Sequence, residues 1–130
     1  TVLQAKRLGI VSCRAGQLLA SIVPRMADDD ISGLVVVDDE GYLAGIITRR
    51  DVLRARLKSP DWTQEQVGRY MTGAVVTVTP ETLLRDAVQL LLDQRIHRVV
   101  VVREEEGRQR PIAVLSDSDV VCEMAGELDK

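Results

Sequence analysis

Aromatic side chains are almost missing from this sequence: Trp62, Tyr42 and Tyr70 are the only ones, and phenylalanine is absent. Such a core must be aliphatic, and Val, Leu and Ile supply it within the 45% of residues that are apolar, a composition suited to short buried strands. Basic excess is missing too. Lys and Arg number 17 against 20 Asp and Glu, a net charge of −3, so no chain-wide positive field exists to hold a phosphate backbone, and nucleic acid is a poor partner. The two cysteines, Cys13 and Cys122, lie far apart with no CxxC or Cys/His ligand spacing, which argues against zinc and against a secreted disulfide scaffold. A reduced cytoplasmic protein is the simplest reading. No apolar run approaches the length of a membrane span, and no charged-then-apolar signal opens the chain, so no membrane segment is expected. A chain beginning with Thr rather than Met is expected to be processed or a piece of something larger. One histidine, no HExxH, no glycine-rich phosphate loop and no nucleophile–base spacing leave no catalytic constellation, and the chain reads as a non-enzyme.

What is present is an internal repeat. At 130 residues the chain is long enough for one packed body, burying roughly two-thirds of its unfolded surface. A shift of 65 positions lays one half on the other. Val11–Ala15 falls on Val76–Pro80, and Leu19, Ile22, Val23 and Met26 fall on Leu84, Ala87, Val88 and Leu91, each set at helical i, i+3, i+4, i+7 spacing. Ile31 then overlies Ile96, and Leu34–Val37 overlies Val99–Val102, runs without polar alternation that suit strands covered on both faces. Beyond a charged loop from Arg103 to Arg110, the offset becomes 68, and Ile46–Asp51 matches Val114–Asp119. Helices are expected from about Arg49 to Leu57 and from Asp117 to Ala125. Each half reads strand, helix, strand, strand, helix, and since about 60 residues with so small a sheet is marginal alone, the copies are expected to pack together. Ser59-Pro60-Asp61-Trp62 reads as a turn, Gln64–Met71 as a short helix, and Trp62 as a packing residue. Pro24 inside the first long helix is expected to kink or interrupt it.

Four segments carry a family resemblance: Tyr70-Met71-Thr72 followed by Val76-Thr77-Val78, the two Val-rich strands, Gly45-Ile46-Ile47-Thr48-x-x-Asp51, and Val114-Leu115-Ser116-x-x-Asp119. In these the chain resembles the cystathionine β-synthase (CBS) domain pair, or Bateman module, over nearly its whole length. The resemblance implies an α/β (α+β) fold of tandem βαββα repeats, with two small sheets packed with pseudo-two-fold symmetry. It divides the chain into a first motif at 1–58, a linker at 59–66 and a second motif at 67–130. It implies clefts between the motifs that take AMP, ADP, ATP or S-adenosylmethionine, a homodimer, and allosteric control of a fused or separate protein.

Thr48 with Asp51, and Ser116 with Asp119, pair a hydroxyl with a carboxylate three positions on, where a strand becomes a helix. A carboxylate can accept from both ribose hydroxyls, while a hydroxyl and the free amides of a helix start can receive phosphate. The same spacing is that of a helix capping box, which needs no ligand; both readings stand. By resemblance, Asp51 and Asp119 hold ribose, Thr48 and Ser116 lie near phosphate, His97 and Arg98 face phosphate, and Thr72 and Thr77 lie along adenine or phosphate. Strand propensity and turn chemistry explain the last two equally. In the first copy Ser32-Gly33 replaces His97-Arg98, so the sites are expected to be unequal. The competing function is a ligand-free scaffold for dimerisation or docking.

Overall fold

Unbroken aliphatic runs lose most when left half-solvated, and both such runs become central strands. In the computed structural model, which describes residues 1–2, 10–28, 31 and 33–128, the first copy runs β1 (Ser12–Arg14), α1 (Leu19–Asp28), β2 (Gly33–Val37), β3 (Leu43–Thr48) and α2 (Arg49–Lys58). A 3-10 turn (Trp62–Gln64) and the short helix α3 (Val67–Tyr70) follow. The second copy runs β4 (Thr77–Val78), α4 (Leu84–Asp93), β5 (Arg98–Glu105), β6 (Arg108–Ser116) and α5 (Asp117–Leu128). The expected α/β (α+β) class and element order are both present. The sheets are ordered β1-β2-β3 and β4-β5-β6, each with one parallel outer pair and one antiparallel hairpin.

The repeat extends to irregularities. A bulge falls between Val36 and Val37 and again between Val101 and Val102. The amide of Ile31 donates to the Met26 carbonyl, closing α1, and that of Ile96 donates to Leu91 after α4, both at 3.0 Å. This six-to-one bond satisfies an orphan carbonyl at the helix end. In one core Leu19, Ile22 and Met26 of α1 pack on Leu34, Val36 and Ile47; in the other Ala87 and Leu91 of α4 pack on Val99, Val101 and Leu115. Each buried aliphatic side chain contributes roughly 1.5–3 kcal/mol. Val35 and Val100, on the opposite sheet faces, are buried too, which explains the missing polar alternation.

Two compact units result, Val11–Val75 and Thr1–Ile10 with Val76–Lys130. In the first, Val67 donates to the Gln17 carbonyl; in the second, Val2 donates to Thr82, both at 2.9 Å. Each pair sits 65 residues from the other, so the segment opening each copy is held by the copy adjacent to it in sequence. Val2 and Val67 are fully buried.

Three local expectations change. Helix α1 continues through Pro24 without interruption; Pro24 and Ala20, whose carbonyl loses its donor, are both exposed, so water serves that carbonyl. The Arg103–Arg110 stretch is not a loop: β5 and β6 run through it to a two-residue turn at Glu106-Gly107, with φ of 53° and 77°. Two positive φ values match the twist that hairpin strands require. Cys122 is exposed, and Cys13 lies in the core, where burial pushes its thiol up and the Arg25 charge partly opposes this. Within Gln64–Met71 only Gln64, ending the 3-10 turn, and Val67–Tyr70 are helical, and Trp62 packs on the first core as expected.

Beside β3, Thr72 exchanges backbone hydrogen bonds with Ile46 at 2.9 and 3.0 Å. A Cβ on Gly45 would stand 2.6 Å from the Thr72 carbonyl oxygen, too close for any side chain. Gly45→Ala is therefore expected to destabilise the chain by about 1–3 kcal/mol, read as a lower urea midpoint; an unchanged midpoint would show that the Thr72 segment yields freely.

Candidate functional site

The two strand-to-helix junctions occupy equivalent places, at β3–α2 and β6–α5. Thr48 is the N-cap of α2, in extended conformation with φ −117° and ψ 169°. Its amide and hydroxyl donate to Asp51 Oδ2 at 2.8 and 3.0 Å, and the Asp51 amide donates back to Thr48 Oγ1 at 3.4 Å. Arg54 Nη1 donates to Asp51 Oδ1 at 2.8 Å, and the carboxylate is only 4% exposed. Both oxygens are thus engaged. At the second junction the Ser116 amide donates to Asp119 Oδ2 at 2.8 Å and the Asp119 amide donates to Ser116 Oγ at 3.2 Å. The capping-box reading therefore holds at both junctions, and Asp119 remains half-buried rather than covered.

Strand register decides what stands beside each pair. Gly33 is opposite Thr48 and Arg98 is opposite Ser116, so Ser116, Asp119, His97 and Arg98 gather at one end of the second sheet. Ser32, the first-copy counterpart of His97, lies outside the described residues. His97 Nδ1 lies 3.1 Å from Asp117 Oδ2, and the Asp117 amide donates to the His97 carbonyl at 2.9 Å. That side-chain bond holds the exposed Asp117 carboxyl below the usual range, against slight desolvation, with a Ser118 amide and the charges of His97 and Arg98 assisting. Thr72 is exposed and joins the first unit through Ile46, two residues from Thr48. Thr77 stands apart from the second junction, and its hydroxyl accepts from Gln109 Nε2 at 3.4 Å. The structure therefore groups Thr48, Asp51 and Thr72 in one unit, and Ser116, Asp119, His97 and Arg98 in the other.

Two participants had no assigned role from the sequence. Arg54 lies at i+3 from Asp51, a spacing that brings helix side chains together, so it was available to a reader of the helix. Asp117 stands inside the quoted second motif, but its partner is 20 residues away and only the strand pairing reveals it. Chemically, each junction offers a carboxylate acceptor, a hydroxyl and the start of a helix of ten or more residues; the second adds a guanidinium and an imidazole.

Comparison with known proteins follows the same frame. The family model described as "CBS domain" matches residues 6–58 and 67–126. A CBS domain-containing mitochondrial protein of Arabidopsis thaliana, CBSX3, is 34% identical over 114 residues, covering 84% of this chain and 53% of that protein. The chain spans about half or less of the curated relatives it matches. Among solved structures, the CBS-domain containing protein ATU1752 from Agrobacterium tumefaciens superposes with TM-score 0.80 at 25% identity, over 93% of this chain and 94% of that one. CBSX2 in complex with AMP superposes with TM-score 0.84 at 23% identity, over 100% and 99%.

Because Asp51 is covered and its carboxylate accepts three hydrogen bonds, one of them from the Arg54 guanidinium, while Asp119 is half-open, Asp51→Asn is expected to cost about 1.5–3 kcal/mol and Asp119→Asn about 1 kcal/mol. Chemical denaturation of both variants checks this, and equal losses would contradict the difference in burial. Asp117 should titrate below a normal aspartate and rise toward it in His97→Ala, as followed by carboxyl NMR. Because the folded carboxyl is depressed, its small stabilising contribution is present above the unfolded-state midpoint and disappears as pH falls through the folded one. An unmoved Asp117 in His97→Ala would show that the contact is incidental.

Proposed function

The chain belongs to the CBS-domain family as a tandem pair, both copies matched and each folded as βαββα, and from that premise we propose that it is a regulatory module binding an adenosine-type nucleotide at its strand-to-helix junctions. AMP, ADP, ATP and S-adenosylmethionine are the candidate ligands. The observation that carries this reading is the second junction, where a half-open carboxylate, a hydroxyl, a helix start and the register-paired Arg98 meet. Asp119 accepts from the ribose hydroxyls, and the Ser116 hydroxyl receives phosphate at the helix start, with Arg98 and His97 beside it. Thr48 and Asp51 form the weaker site, since a ligand there must displace Arg54 from Asp51. Thr72, beside Ile46 and the first junction, borders adenine or phosphate there, whereas Thr77 stands apart from the second junction. The similar fold of CBSX2, a structure in complex with AMP, supports the ligand class.

Control follows from linkage: the nucleotide shifts the arrangement of the module only by the difference in its affinity for two states, and a fused or separate protein reads that shift. The module acts by binding, without turnover, as a homodimer. Its two free thiols, one of them exposed, suit the reducing cytoplasm. No helix among the described residues is long and apolar enough to cross a membrane.

The closed capping boxes favour a second reading, a scaffold whose junctions never take a ligand. A thermal-shift panel on nucleotide-stripped protein separates the two. A ligand at 100 times its dissociation constant adds about 2.7 kcal/mol, several degrees for a domain of this size. One adenosine compound is expected to produce that shift, with Asp119→Asn reducing it more than Asp51→Asn, while a guanosine control does nothing. A folded protein that no adenosine compound stabilises would leave only the scaffold.

A further inference from the structure

The offset of 68 that lays Asp51 on Asp119 also lays Arg54 on Cys122. Each stands three residues past its carboxylate, the spacing at which helix side chains become neighbours. At the first junction Arg54 Nη1 donates to Asp51 Oδ1 at 2.8 Å while the Thr48 amide and hydroxyl hold Oδ2, leaving only 5% of the Asp51 side chain exposed. The Arg54 side chain is itself 56% exposed, so its guanidinium covers the carboxylate from the solvent side. At the second junction the Ser116 amide holds Asp119 Oδ2 in the same way, but α5 offers a thiol where α2 has a guanidinium, and Asp119 is half-buried where Asp51 is buried. The strand end and its bonds to the carboxylate are alike in the two copies, whereas the residue one turn on is not.

We propose that Arg54 is a latch on the first junction, and that the residue at this helix position, arginine in one copy and cysteine in the other, sets how readily each junction takes a nucleotide. The inference rests on the nucleotide reading and specifies what makes its two sites unequal. A guanidinium tethered one turn from the carboxylate competes with any outside donor as an intramolecular ligand. Its bond to Asp51 is charge-assisted, roughly twice as strong as a neutral one, whereas a ribose hydroxyl is a neutral donor, so ribose must exchange the stronger bond for a weaker one. Water meets the guanidinium when it swings out, because the side chain is already more than half exposed, and the latch is therefore reversible. At the second junction this position demands no such exchange, a thiol being a weak donor without charge. The second junction then fills first, and the first fills only at higher nucleotide concentration, so that one chain responds over two ranges. A purely structural ion pair has a different signature: removing Arg54 would lower stability and leave binding where it was.

The test is titration of the nucleotide-stripped full chain with AMP, ADP, ATP and S-adenosylmethionine in turn, followed by amide NMR, in which the signals of Thr48 to Asp51 and of Ser116 to Asp119 report the two junctions separately. In the wild type the first-junction signals are expected to saturate at the higher ligand concentration. Arg54→Ala should lower the first-junction dissociation constant about tenfold and leave the second unchanged. For AMP, ADP and ATP the substitution also removes a positive charge, which by itself weakens an anionic ligand, so a gain in affinity comes only from freeing Asp51. Cys122→Arg, at an exposed position, should raise the second-junction constant by a similar factor. A first junction that binds no more tightly in Arg54→Ala, or a second junction indifferent to Cys122→Arg, would overturn the latch while leaving nucleotide binding intact. No shift at either junction with any of the four compounds, in wild type and variants alike, would overturn the nucleotide reading and the latch together.

Discussion

One reciprocal hydrogen-bond pattern recurs at the point where each copy turns from sheet to helix, and most of the molecule's organisation follows from it. The residue that ends the strand, Thr48 or Ser116, gives its amide to a carboxylate three residues on, and the carboxylate residue's amide returns to the hydroxyl. The pattern starts α2 and α5 at equivalent places and directs Ala55 and Val120 back onto the two cores. It also places an acidic group beside a helix start whose first amides have no intrahelical partner. A capping bond contributes only about 1 kcal/mol, so a ligand that supplies better hydrogen bonds can compete for the same groups. On the proposed reading, structure and binding draw on one set of atoms, and the two junctions differ in how far the carboxylate is covered.

Much of this was legible from residues alone. The aliphatic runs, the helical stripes from Leu19 and Leu84, and the change of offset after the hairpin fixed the order of elements, because burial periodicity is a local property. The hydroxyl–carboxylate pairs were legible for the same reason, together with the ambiguity between cap and ligand site. Less accessible was anything depending on neighbours distant in sequence. The engagement of both Asp51 oxygens, the pairing of His97 with Asp117, and the approach of Thr72 that demands Gly45 all arise from strand register or from a crossing segment. The exchange of opening segments, with Val2 held at Thr82 and Val67 at Gln17, has no local signature. The Glu106-Gly107 turn lacked the asparagine or aspartate that usually marks its type, and Pro24 was tolerated because its orphan carbonyl faces solvent.

The copies agree where packing dictates and diverge where water is the neighbour. Bulges, helix ends and core positions coincide at a fixed offset, down to the bonds that close α1 and α4. Surface charge inverts between α2 and α5, and the first junction has Gly33 where the second has Arg98. A duplicated frame thereby acquires two distinguishable faces and two distinguishable junctions, which a symmetric repeat would lack.

The central claim is that an adenosine nucleotide binds chiefly at the Ser116–Asp119 junction. Equilibrium dialysis of labelled AMP and labelled ATP against nucleotide-stripped protein, wild type and Asp119→Asn, counts the sites per chain directly. The account predicts one tight site per chain for at least one of the two, abolished or greatly weakened in Asp119→Asn, with any second site weaker. Two equal sites, or a tight site that survives Asp119→Asn undiminished, would contradict it.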